Sequence, residues 1–262
     1  MRKMTLTLLT AATLSSLAFA GMAQAADQTL RIAVESDYAP FSSKDQNGKL
    51  VGFEIDLADK ICAVAKLKCS YVVMDFDAMI AAVKANKADV ILDEMSITED
   101  RAKEVAFSDV ITIAPVSYVA KKGSLTSSSA AGVKGKVIGV QSGTTHEKYL
   151  DEVLKDTVVK KVYTGIDQAY LDLESGRVDA VMADKTQEWD WLSKTGLKAG
   201  YDYAGEAITD VKYFGIGTGG AFRKGDARIP VFNKALAEVI KSGDYKIIND
   251  KYFPFPLVYT GK

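Results

Sequence analysis

Residues 53–74 read FEIDLADKICAVAKLKCSYVVM. Phe53 to Ala65 carries apolar residues at helical spacing, whereas Cys69 to Met74 is β-branched and aromatic and reads as a strand. Upstream, Thr29 to Val34 alternates and is also a strand, so the unit is β, α, β. The alternation continues with a helix near Ala78 to Ala85 and strands at Asp89 to Leu92 and Lys136 to Val140. After these come a helix from Thr145, a strand at Val158 to Tyr163, a helix from Ile166 to Ser175 and a strand at Val178 to Met182. Repeated βα alternation predicts an α/β protein with parallel sheets covered by helices. No repeat of 20 to 50 residues and no low-complexity linker interrupts it.

Two segments resist the helical pattern: Ile111 to Ala120, with Pro115 inside it, and Lys212 to Thr218. Both read as extended crossings between two lobes. One lobe then comprises residues 26–115 plus 213–262 and the other residues 116–212. Pockets favour domain interfaces and the C-terminal edges of parallel strands, so the cleft between the lobes is the expected site.

The ends say where such a chain works. Arg2 and Lys3 precede an apolar stretch from Leu8 to Met22 and the small residues Ala23-Gln24-Ala25, the order of a cleavable secretory signal peptide over 1–25. The apolar part falls short of the roughly 18 to 20 residues that span a bilayer. No cysteine follows the small residues, so no lipid anchor is expected. A mature chain from Ala26 has 237 of the 262 residues, and losing Arg2 and Lys3 takes the formal charge from −1 to −3. With both signs scattered, a nucleic-acid partner is not expected. The only cysteines, Cys62 and Cys69, lie in the exported part, where a disulfide is favoured. Seven residues of straight helix would hold their Cα atoms about 10 Å apart, beyond the roughly 7 Å limit for a bridge. A bridge therefore requires the helix to end between them; the alternative is a pair of buried thiols.

Gly52-Phe53-Glu54-Ile55-Asp56-Leu57, followed by Ile61-Cys62 and Ala65, resembles the signature of the bacterial extracellular solute-binding proteins for polar amino acids. Within that family the likeness is to the periplasmic lysine/arginine/ornithine-binding and histidine-binding proteins. Asp37-Tyr38-Ala39-Pro40-Phe41, Asp75-Phe76-Asp77-Ala78, Ser96 to Arg101, Gly143-Thr144-Thr145 and Phe214 to Gly219 fall in matching order, and Cys62 and Cys69 match the group's disulfide spacing. The resemblance implies a type II periplasmic binding protein: two α/β lobes, two crossovers, a free amino acid as ligand and an inner-membrane ABC permease as partner. It also implies a periplasmic monomer with no cofactor.

A receptor for an amino acid needs a planar cation for the carboxylate and an acid for the ammonium. Arg101, where a helix should begin, offers the two parallel hydrogen bonds that Lys cannot. Ser96 and Thr98 stand beside it; from spacing alone it could equally sit on a solvated helix face. Ser142-Gly143-Thr144-Thr145 follows a strand and precedes a helix, an anion-favouring position, though Thr144 could be a plain N-cap. The resemblance assigns Arg101, Thr144 and Thr145 to the α-carboxylate and Asp184 to the ammonium, unless Asp184 pairs with Lys185 at the surface. It makes Tyr38 and Phe76 the aromatics flanking the ligand's stem, where either could instead be core, and sets Glu35 at the distal charge.

The chain departs from these relatives at Asp93-Glu94, where a pair of serines usually stands. Asp93 should favour a guanidinium or ammonium, or else lengthen the pocket or admit a second cation, and Glu94 could point into solvent. Arginine, lysine, ornithine, histidine and opine-like derivatives all stay open. A metal cluster is not expected, because the looped spacing of oxygen ligands is absent. His146 reads as a surface residue. Some relatives on this fold are cyclohexadienyl dehydratases, but acids crowding the side-chain end would repel an anionic ring substrate. Hinge closure around the ligand is the expected mechanism.

Overall fold

A computed structural model describes residues 29–257, so the signal peptide predicted over 1–25 lies outside the described residues. No helix among them is long and apolar enough to cross a membrane. Two five-stranded sheets organise the chain. The first runs in the order Cys69–Val73, Leu30–Val34, Val90–Ile91, Thr218–Phe222, Ala106–Thr112. The second runs Val159–Tyr163, Val137–Gln141, Ala180–Asp184, Val116–Lys121, Tyr201–Ile208. The chain passes from the first sheet to the second through residues 113–115 and returns through 209–217.

Fully parallel sheets were expected, and both sheets are mixed. Thr218–Phe222 is antiparallel to both of its neighbours, as is Val116–Lys121 in the second sheet. Each is the first strand the chain follows on entering its lobe. A chain that enters from the cleft, where the parallel strands end, must run back against them. The return crossing also departs from an extended reading. Val211–Phe214 forms a helical turn capped by Asp210, and Tyr213 and Phe214 pack into the core of the second sheet.

The helix Phe53–Ala65 occupies the predicted span. Gly52 before it has φ 142°, and a Cβ there would lie 2.1 Å from the Phe41 carbonyl oxygen, so only glycine fits. Phe53 then enters an aromatic cluster with Phe41, Tyr245 and Phe253, locking the helix to the C-terminal helices Ile229–Ser242 and Asp244–Tyr252. The helix stops at Lys66, whose left-handed φ of 56° reverses the chain while the Leu67 N–H donates to the Cys62 carbonyl. That reversal brings the Cys62 and Cys69 Cα atoms to 6.3 Å and permits the disulfide between them. Replacing both cysteines by serine should cost roughly 2–3 kcal/mol by the loop-closure relation. In thermal unfolding that corresponds to a fall of about 5–10 °C in Tm; an unchanged Tm would show that the turn at Lys66 holds without the bridge.

Candidate functional site

The C-terminal ends of the parallel strands of both sheets face each other, and the predicted site residues are drawn from those ends. Glu35 follows Leu30–Val34, Asp93 and Glu94 follow Val90–Ile91, Gly143 to Thr145 follow Val137–Gln141, and Asp184 closes Ala180–Asp184. Between them lies a small, tightly closed cavity lined by Tyr38, Phe76, Asp93, Glu94, Ser96, Arg101, Gln141, Thr144, Thr145, His146 and Asp184. Nine of these eleven come from the predicted set; Gln141 and His146 do not.

Arg101 lies in the first turn of the helix Glu99–Glu104, positioned by Thr98, whose Oγ1 accepts the Arg101 N–H at 3.2 Å. The guanidinium is buried, 5.4 Å from the Phe76 ring centroid. Nη1 donates to the Ser96 carbonyl at 3.3 Å and Nη2 to the Gly143 carbonyl at 3.2 Å on the opposite lobe. Burial pulls its pKa down to about 10, against the opposing charge of Asp184. It is a cation at neutral pH.

Asp184 is buried. Its Oδ2 accepts from the Tyr38 hydroxyl at 3.5 Å, and its Oδ1 lies 3.4 Å from His146 Nε2. Lys185 does not pair with it: the ammonium stands 4.6 Å from the Tyr203 ring centroid. His146, expected at the surface, is only 5 % exposed and stacks on Phe214. The Thr144 cap turns the start of helix Thr145–Glu152 toward the cleft, and the return crossing covers it.

Thr144 is both the cap and a wall residue: Oγ1 accepts the Glu147 N–H at 3.2 Å and donates to the Gln141 carbonyl at 2.7 Å. Thr98, spent as a cap, lines an outer groove at the cleft mouth rather than the cavity. Glu35 also stands behind the wall. Its Oε1 accepts from Gln141 Nε2 at 2.5 Å, joining the lobes, and burial together with the Asp93 charge pushes its pKa up to about 11. Burial and the neighbouring Asp93 charge thus favour the neutral form of Glu35.

Asp93 is fully enclosed. Oδ1 accepts from Ser42 Oγ at 2.6 Å and Oδ2 from the Glu35 N–H at 3.2 Å, while burial pushes its pKa up to about 6. Glu94 does not reach solvent. Its carboxyl meets Thr112 Oγ1 at 2.8 Å and Thr218 Oγ1 at 3.1 Å, and its N–H donates to both carboxyl oxygens of Glu54. Glu94 holds φ at 46°, uncommon for a side chain of this size. Thr112 and Thr218 flank the two crossings, and Glu54 belongs to the quoted signature. Their roles escaped the sequence because no local pattern says which loop they will meet. Among the described residues no group of three or more His, Cys, Asp or Glu is disposed to hold a metal ion.

Further contacts join the lobes around the cavity. Ser142 Oγ donates to Asp77 Oδ2 at 2.9 Å, Gln187 Nε2 donates to the Ala39 carbonyl at 3.3 Å, and Lys148 pairs with Asp100.

Two α/β lobes joined by two crossings, with charged groups at facing strand ends, constitute the type II periplasmic binding fold. The chain belongs to the bacterial extracellular solute-binding proteins, family 3, matching that family over residues 30–255. It is 41% identical over 230 residues to the lysine/arginine/ornithine-binding periplasmic protein of Escherichia coli K12, covering 87% of this chain and 88% of that one. It is 40% identical over 233 residues to the L-arginine-binding protein of Pseudomonas aeruginosa, covering 88% and 90%. A Salmonella typhimurium periplasmic binding protein of high arginine specificity superposes with a TM-score of 0.80 at 31% identity, over 86% of this chain and 99% of that one.

Proposed function

We propose that the chain is the periplasmic binding component of an ABC importer and captures one free cationic amino acid, arginine, lysine or ornithine, between its lobes. The observation that carries this reading is the charge balance of the cavity wall: one buried guanidinium, Arg101, and three buried carboxyl groups, Asp93, Glu94 and Asp184. An α-amino acid with a second positive charge complements that set.

In this reading Arg101 grips the α-carboxylate with the first turn of the helix Thr145–Glu152, and Asp184 receives the ammonium. Tyr38 and Phe76 flank the aliphatic stem, and Asp93 receives the distal charge. Residues 113–115 and 215–217 act as the hinge, so Tyr213 and Phe214 travel with the second lobe. A soluble monomer delivers the ligand to an inner-membrane permease. Binding rather than catalysis is favoured, because the wall carboxyls oppose the anionic ring of a cyclohexadienyl substrate.

Calorimetric titration of ligand-stripped protein tests the reading. Cationic amino acids should bind with submicromolar Kd, more than about 8 kcal/mol. Tight glutamate binding with no response to arginine would overturn it, and turnover of a cyclohexadienyl acid would replace binding with catalysis. Closure has its own test. Gly143 has φ 72°, and a Cβ there would lie 2.7 Å from Asp77 Cβ on the other lobe. Gly143→Ala should therefore resist closure and weaken binding by about 1–3 kcal/mol, roughly five- to a hundredfold. Small-angle scattering with saturating arginine should show a more open particle than the wild type.

A further inference from the structure

The Glu94 carboxyl, Thr112 Oγ1 and Thr218 Oγ1 form a closed ring. Thr112 Oγ1 lies 2.8 and 3.0 Å from the two Glu94 oxygens, Thr218 Oγ1 lies 3.1 Å from Glu94 Oε1, and the two hydroxyls are 2.6 Å apart. The two hydroxyls supply protons for two sides of the ring, the 2.6 Å contact between them and the Thr112 contact to the carboxyl, and leave the longer 3.1 Å side without one. A carboxylic acid supplies the third; an ionised Glu94 leaves one side of the ring as two oxygens facing each other with no hydrogen between them.

The hydrogen bonds from Thr112 and Thr218 favour the ionised carboxylate, but burial and the acids around Glu94 press toward the protonated form. Glu54, from the helix Phe53–Ala65, holds its N–H; Asp93 precedes it in the chain; Asp184 faces it from the second lobe; and the Tyr38 and Tyr245 phenols stand nearby. Against these acids the cavity wall sets Arg101, already drawn toward Asp184, and His146, 3.4 Å from Asp184 Oδ1. Burial first, and then the charge of Asp184, pushes Glu94 up to about 8.

We propose that Glu94 is a ligand-contacting residue that holds a proton until a cationic amino acid enters, and that it then exchanges this proton, released to solvent, for the ligand's positive charge. The inference rests on the amino-acid reading above and deepens it. Entry of the cation turns an ionised Glu94 from a repulsive neighbour of Asp184 into an attractive partner. Because Thr112 and Thr218 are the strand residues on either side of the crossings, the proton is lost where the hinge begins.

The sign follows by linkage. The free state binds the proton and the bound state does not, so affinity rises with pH while free Glu94 is protonated and levels above its pKa. With L-arginine as probe, Kd should fall by up to about tenfold per pH unit from about pH 6 to about pH 8. Near neutrality, calorimetry in two buffers of unlike ionisation enthalpy should report nearly one proton released per arginine. Glu94→Gln cannot lose a proton, so above about pH 7, where Asp93 is already ionised, its heat should be independent of buffer and its Kd flat with pH. Arginine binding to the wild type with no proton released overturns the inference and leaves the amino-acid reading standing, and so does equal release from the variant. No binding of any cationic amino acid overturns the reading, and the inference with it. Should Glu94→Gln fail to fold, carboxyl carbon NMR of the wild type decides: the Glu94 midpoint should drop when arginine is added, and an unmoved midpoint refutes the exchange.

Discussion

Arg101→Ala is expected to abolish binding of every amino acid alike, with a loss of roughly 3–5 kcal/mol, about a hundred- to several-thousandfold in Kd. On the proposed reading, the substitution removes the only permanently charged cation among the described residues of the cavity wall and leaves the ligand carboxylate among Asp93, Glu94 and Asp184 without a counter-ion. It also empties the space against Phe76 and breaks the cross-cleft bond to the Gly143 carbonyl, so the closed form loses one of its clasps. Arg101→Lys separates charge from geometry. It keeps the charge but cannot make two parallel hydrogen bonds, and it should recover only part of the loss. Calorimetry with arginine, lysine and histidine checks both, and a variant that still binds any of them within threefold of the wild type would remove Arg101 from the site.

Asp184→Asn should cost about 2–5 kcal/mol, the range for truncating one partner of a buried charge pair. The amide keeps the shape and still accepts from the Tyr38 hydroxyl, so packing changes little. What disappears is the charge proposed to face the ligand's ammonium and part of the attraction that supports the Arg101 charge despite its burial. The loss should fall mainly on the dissociation rate, because Asp184 is enclosed when the lobes meet and adds little to long-range steering. Stopped-flow measurement of both rates tests this. An unchanged dissociation rate would place the ammonium elsewhere, with Glu94 as the remaining acid on that side.

The two effects are coupled. Arg101 and Asp184 belong to different lobes and the Asp184 charge supports that of Arg101, so a double substitution should cost less than the sum of the two single ones.

The residues whose roles were legible in the chain are those whose surroundings are local. Phe53–Ala65 matches its predicted span because its apolar spacing and the glycine before it are properties of a dozen consecutive residues. Arg101 sits in a first helical turn because Thr98 caps that turn three residues earlier. A bridge between the two cysteines required a helix end between them, and Lys66 provides it.

What the chain determined by itself was therefore the alternation of its main helices and strands and the charged residues at strand ends, since these follow from periodicity, capping and turn chemistry within short windows. Tertiary structure alone decided which strands run antiparallel, that Glu35 withdraws behind Gln141, that His146 is enclosed, and that Glu94 closes a ring with two hydroxyls. Each of those outcomes depends on a partner far away in sequence, 106 residues for Glu35 with Gln141 and 124 for Glu94 with Thr218. Burial and protonation are set by the groups that surround a side chain in space, and only the docking of the two lobes brings those groups together.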